Sequence, residues 1–197
     1  MHAFVKEGSH IHAVALLVAT AFLLVLAAPS AVFASSASDE DPVSVATGPY
    51  VFANVGSHAI AFTEGSSRSG VGFMVGGGYG FTDRLGVTGG YSFAGVTPEQ
   101  DLSHLEVALR LSFRSGQDRY LPFVFAGPTR VALSQPIGDA STSLGAKAGG
   151  GFQYFIADQF AVDGQAHLAF SSFSNGPSSD QAFTTRFAIG VAWFPTR

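Results

Sequence analysis

The stretch LEVALRLSF, Leu105 to Phe113, is apolar at every odd position and polar or small at every even one. A strict period of two, with Glu106 and Arg110 on the minor face, marks a strand with one greasy side and one charged side. In a soluble sandwich the charged side would face water and the greasy side a core. Similar segments recur along the whole chain, and no amphipathic helix is present to cover so much apolar surface. The pattern therefore predicts a closed barrel whose greasy side faces lipid. A soluble β-sandwich would leave its many outward Phe and Leu side chains uncovered.

Working outward from that segment, about eight strands can be read. The first lies near Tyr50 to Gly56, with no facing assigned. The second, Gly70 to Phe81, sets Val71, Phe73, Val75, Tyr79 and Phe81 against a face of glycines and Met74. After a turn at Thr82-Asp83-Arg84, the third puts Leu85, Val87, Tyr91 and Phe93 outward. The fourth is the opening segment, with His104, Glu106, Ala108, Arg110 and Ser112 inward. In the fifth, Leu121, Phe123 and Phe125 alternate with Tyr120, Pro122 and Val124; Pro122 marks a bulge or the strand start.

The sixth, Ser143 to Ile156, turns Lys147 and Gln153 inward and Phe152 and Tyr154 outward. The seventh puts Asp163, Gln165 and His167 inside, and the last, Ala182 to Phe194, places Arg186 inside with Phe187, Ile189, Val191 and Trp193 outside. Turns near Asp83, Gly116 and Asp158 are short. The connections Ser57 to Ser69, Gly95 to Gln100, Arg130 to Thr142 and Phe173 to Asp180 are expected to be longer. Short periplasmic turns and longer external loops suit an up-and-down barrel with both termini in the periplasm.

The first residues read differently. Ala13 to Ala28 is a continuous apolar run of sixteen residues, followed by Pro29 and the small-residue stretch around Val32 and Ala34. The run is shorter than the roughly twenty residues a spanning helix needs. Residues 1–34 are therefore expected to be a secretory signal peptide, 35–47 an acidic leader holding Asp39-Glu40-Asp41, and 48–197 the barrel. Charged residues make up only 12% of the chain and aromatic ones 13%, whereas a soluble domain carries about a quarter charged residues. A net charge of −4 gives no basic footprint for nucleic acid. The absence of cysteine excludes a disulfide framework and thiol chemistry.

The hairpin GYGFTDRLGV, the strand YLPFVFAG and the ending FAIGVAWF resemble the OmpA/OmpX-type outer-membrane β-barrel domain family. The resemblance covers nearly all of the expected mature chain. It implies an all-β, eight-stranded antiparallel transmembrane barrel in the bacterial outer membrane, acting as a monomer without catalytic site, metal or cofactor. Barrels of this family commonly end on an aromatic residue read by the insertion machinery. Here Phe194 is followed by Pro195-Thr196-Arg197, so Trp193 and Phe194 are the residues left to carry that signal.

The inward charges are Glu106, Arg110, Lys147, Asp163 and Arg186, with His104 and His167 near them. Glu106 and Arg110 are about 13 Å apart along one strand, so they must pair with neighbouring strands. A barrel of eight strands is just wide enough to be filled by side chains, which makes an ion-pair plug the expected interior and a narrow channel the alternative. Glycine-rich inner faces on strands two and three could leave water-filled space. Asp163, His167 and Ser171 have the residue types of a hydrolytic triad but are again about 13 Å apart in succession. His104 and Glu106, about 7 Å apart along the strand, could be two metal ligands on one face but have no third. The runs GGGYG and GAKAGGG lack phosphate-loop spacing and fit strand glycines under crowded side chains.

Ser172-Phe173-Ser174-Asn175 resembles the His-x-Ser-Asn segment of outer-membrane lipid A deacylases, in which the serine is the nucleophile. Ser174 and Asn175 match, but Ser172 stands where that family has its histidine base, and a hydroxyl cannot take up a proton near neutral pH. The expected role is non-enzymatic, envelope integrity or surface interaction through the external loops, with lipid A acyl-chain hydrolysis at Ser174 or a narrow solute channel as the alternatives. Expected partners are outer-membrane lipid and lipopolysaccharide, the barrel-insertion machinery and a surface ligand. Glu64, Glu99, Asp101, Asp139 and Asp180 against Arg68 and Arg130 would make those loops acidic.

Overall fold

The structure, a computed structural model, describes residues 47–63, 65–113, 119–134, 141–175 and 178–195. The expected signal peptide and all of the leader but Thr47 lie outside them. Eight strands follow in chain order: β1 (Gly48–Phe62), β2 (Ser67–Gly80), β3 (Leu85–Thr97), β4 (Gln100–Ser112), β5 (Tyr120–Ser134), β6 (Ser141–Ala157), β7 (Phe160–Asn175) and β8 (Ser178–Trp193). Each pairs antiparallel with the next, and β8 closes on β1 from Val51↔Trp193 to Phe62↔Ala182. Full closure leaves no unpaired edge, which is what allows a sheet to sit in lipid.

The alternation read from the sequence places side chains as expected on β2, β3, β4, β6, β7 and β8. Val71, Leu109, Ile156, Phe160, Ile189 and Val191 are among the apolar residues exposed on the outer wall. Aromatic residues collect at both rims. Tyr79, Phe81, Tyr154, Phe160 and Trp193 stand on the outside toward the end where β1 begins and β8 finishes (the terminal end), and Phe73, Phe93, Phe170 and Phe183 toward the far end. Two girdles flanking an apolar band are the pattern of a membrane-spanning barrel.

Two strands carry apolar residues on both faces and turn the larger ones inward. On β1 the buried residues are Tyr50, Phe52, Asn54, His58 and Ile60, while Val51, Ala53, Val55, Ser57, Ala59 and Ala61 face away from the lumen. On β5, Leu121, Phe123, Phe125, Val131 and Leu133 point inward. Pro122 is the third residue of its strand, facing outward, so it marks the strand start rather than a bulge. Pro128 has a stronger effect: the β4–β5 ladder pairs Glu106 with Thr129 and resumes at Leu109 with Ala126, the gap falling where proline has no N–H to donate.

The connections correct the expected asymmetry in loop length. Residues 63–66 join β1 to β2 and residues 98–99 join β3 to β4. Most of the described residues in the segments expected as long loops lie on strands, which run to 13–17 residues, against the roughly 9–11 needed to span. Asp101, Arg68, Arg130 and Asp180 accordingly sit on strands. Arg130 faces outward, level with Leu105 and Leu144. Glu64 and Asp139 lie outside the described residues.

Candidate functional site

The lumen is built in layers. At the terminal end Tyr50, Phe52, Met74, Leu121, Phe155 and Phe194 pack into an apolar cluster. Phe194 turns inward, its ring 5.4 Å from Tyr50 and 5.1 Å from Phe155. At the far end Ile60, Val96, Leu102, Val131, Leu133 and Phe173 form a second apolar cluster. The polar groups lie between the two. The expected ion-pair plug occupies the middle of the lumen and has apolar ends, because β1 and β5 send their large side chains inward.

The glycine-rich inner faces of β2 and β3 are largely filled by side chains of the neighbouring strands. A Cβ at Gly76 would stand 2.5 Å from the Phe52 ring, and one at Gly78 2.5 Å from the Tyr50 hydroxyl. The small residues make room for rings that arrive from β1. A recess of about 10 Å³ lies beside Tyr50, Arg110 and Phe194 near the terminal mouth, about the room of a single water.

Just inside the terminal cluster, Arg110 lies over the Phe123 ring at 3.9 Å and the Tyr50 ring at 5.2 Å. Its Nη2 donates to Gln153 Oε1 at 2.7 Å, and Gln153 Nε2 donates to Asp163 Oδ2 at 3.0 Å. Asp163 Oδ1 also accepts from Asn54 Nδ2 and Gln165 Nε2, each at 2.7 Å. An amide therefore relays between the buried cation and the buried carboxylate, and three N–H donors satisfy Asp163. This bonding ties β1, β4, β6 and β7 together.

At mid-height Glu106 is the hub. Its Oε1 is 2.7 Å from Lys147 Nζ and 2.9 Å from Arg186 Nη2, while Oε2 has only Arg186 Nη1 at 3.5 Å. The side chains of all three are essentially inaccessible to solvent. The partners come from β6 and β8, across the lumen, not from the adjacent strands β3 and β5 as spacing along the strand suggested. A narrow barrel brings opposite walls within side-chain reach, so the lumen does the pairing.

Beside the hub stand His58, His104 and His167. The His104 ring lies 6.3 Å from His58 and 6.1 Å from His167. Strand pairing sets His58, Arg186 and His167 side by side on β1, β8 and β7. One ligand atom each from His104, Glu106 and His167 falls within 4.8 Å of the others. The strand pattern showed His104 and Glu106 together but could not show that His167 meets them from another wall. His58 and Asn54 were missed because β1 had no facing.

The other sequence candidates are not brought together. Asp163 is held by Asn54, Gln153 and Gln165 with no bond to His167, and the buried Ser171 hydroxyl has no partner. Ser172 faces outward, and its carbonyl accepts a short hydrogen bond from the Ser143 hydroxyl. The Cα of Ser174 pairs with that of Ser179 at the far end of β7. The side chains of Ser174 and Asn175 lie outside the described residues, so that resemblance gains no geometry.

Residues 20–193 match the family model for the outer membrane protein beta-barrel domain. No curated protein matches the sequence. Among solved structures the chain is similar to Neisserial surface protein A, with 17% identity over 75% of this chain and 97% of that one and a TM-score of 0.65. It also matches the N-terminal barrel domain of Pseudomonas aeruginosa OprF, at 14% identity over 75% of this chain and 97% of that one, with a TM-score of 0.47. A third match is Ail of Yersinia pestis, at 14% identity over 75% and 100%, with a TM-score of 0.48. At these identities the likeness is one of fold.

Proposed function

We propose, on the premise that this chain belongs to the outer membrane protein beta-barrel domain family and so resides in the bacterial outer membrane, that it is a sealed barrel supporting envelope integrity. The observation that carries this reading is the lumen itself, with apolar clusters above and below a buried ion hub. A solute path would have to breach both clusters and desolvate the hub. Lipid and lipopolysaccharide are then its main partners, met by the apolar band between the girdles. Trp193, on the outer wall, is the terminal aromatic free to meet insertion machinery, since Phe194 is committed to the lumen.

Planar-bilayer recording of the purified, folded barrel tests the reading. Closed traces are expected, together with increased sensitivity to detergents and bulky antibiotics in cells lacking the chain. Steady single-channel steps would replace it with a channel. Surface interaction through the far end is a second reading, favoured by strands that run past the far girdle. Binding of intact cells to a surface ligand, lost when the residues joining β1 to β2 are replaced, would support it.

A further inference from the structure

We propose that His104, His167 and Glu106 form a buried binding site for a divalent transition-metal ion, with Zn²⁺ the ion that best suits two imidazoles and a carboxylate. The three donors come from β4 and β7 and meet inside the lumen within 4.8 Å of one another. Donors bound to a tetrahedral zinc lie about 3.3 Å apart, so modest side-chain rotation closes the set. All three residues are at least nine-tenths buried.

Unpartnered nitrogens provide the second observation. His104 Nδ1 and His167 Nδ1 are buried and make no hydrogen bond, and the same holds for His58 Nε2. A buried polar atom without a partner is costly, and native interiors rarely leave several in one place. Two of these three residues, His104 and His167, are the ones whose ligand atoms meet Glu106. Two imidazoles and a carboxylate brought together from β4 and β7 are a donor set that zinc takes. Glu106 has an oxygen to spare, because Oε1 takes both short contacts and Oε2 only the contact at 3.5 Å. His58, its ring 6.3 Å from that of His104, is a further donor at hand.

Charge works against the ion. Lys147 and Arg186 both face the site and already compete for Glu106. Removing one of them should therefore strengthen binding, which a site outside the lumen would not show. The apolar clusters at the two ends also predict that zinc loads while the barrel closes, and only slowly afterwards.

The test is to refold the chain without its first 34 residues into detergent with Zn²⁺, confirm folding by heat-shifted gel mobility, remove free metal and measure zinc by mass spectrometry. About one zinc per barrel is expected, at least tenfold less in the double variant His104→Ala/His167→Ala, and at least tenfold tighter binding in Lys147→Met by chelator competition. Zinc added to the closed barrel should load at least tenfold more slowly than zinc present during refolding. If the double variant does not fold, the unaltered barrel loaded with Co²⁺ decides: intense visible absorption of a four-coordinate site supports the proposal, and the pale spectrum of the hydrated ion overturns it. No retained metal, equal retention in a folded double variant, unchanged affinity in Lys147→Met or equally fast late loading would each overturn it, leaving trapped water as the partner of the imidazoles.

Discussion

Glu106 carries one negative charge between two cations, so removing different members of the hub has unequal consequences. Glu106→Leu leaves Lys147 and Arg186 buried, adjacent and unpaired, and is expected to lower stability by about 3–5 kcal/mol. Lys147→Met leaves a balanced Glu106–Arg186 pair and should lose no more than about 1–2 kcal/mol. Urea unfolding in lipid vesicles measures both. Equal losses would mean that water reaches the hub and screens it. Which charged residues face inward was legible from alternation, and Glu106, Arg110, Lys147, Asp163 and Arg186 are all where it put them. Their partners were not legible. Alternation fixes the face of a side chain but says nothing about which residues on opposite walls share a level, since that depends on strand tilt and stagger.

Among the strands, those with bulky apolar residues on the lipid side were read with their correct facing. On β1 and β5 both faces carry apolar residues, so hydropathy could not choose, and the lumen claimed the larger set. Glycine on β6 is the counterpart of that choice. A Cβ at Gly149 would lie 2.3 Å from the Ala166 carbonyl, 2.6 Å from His167 Cβ and 2.8 Å from the Phe125 ring. Gly149→Val is expected to destabilise the barrel by at least about 1–3 kcal/mol through overpacking. Ala148→Val, one residue along and facing lipid, should be nearly neutral; a comparable loss there would move the constraint from the lumen to the backbone. The β1–β2 turn has a different requirement. Gly65 has φ 105° and donates its N–H to the Phe62 carbonyl, so Gly65→Ala should cost about 1–2 kcal/mol in the left-handed region. Folding measured against the unaltered chain checks this, and an unchanged midpoint would show that the turn can adopt another conformation.

Across the whole barrel, the two girdles and the apolar band fix how it sits in the membrane. The sole tryptophan, Trp193, is outward at the rim where β1 begins and β8 finishes. Its fluorescence should be quenched most by lipids brominated close to the headgroup, whereas maximal quenching by bromine near the bilayer centre would contradict the assigned band. With no native cysteine, single substitutions report orientation cleanly. Pro98→Cys in the β3–β4 turn should react with an impermeant maleimide on intact cells, and Asp158→Cys in the β6–β7 turn should not. The reverse pattern would invert the barrel. Loop length could not have settled this, because strands absorb most of the sequence that looked like loop.

The contacts through the lumen also act as a check on assembly. Arg186 of β8 reaches Glu106 eighty residues earlier, and Asn54 of β1 reaches Asp163 past the intervening β8. Both can form only when the last strand meets the first in the correct register. A slip by one residue would turn Arg186 toward lipid. A slip by two would keep it inside but carry it about 7 Å along the strand, away from the carboxylate. The hydrogen-bonded seam alone would tolerate either mistake, since backbone ladders are blind to sequence. The charge at the centre rejects both, and so proofreads the final stitch of the barrel.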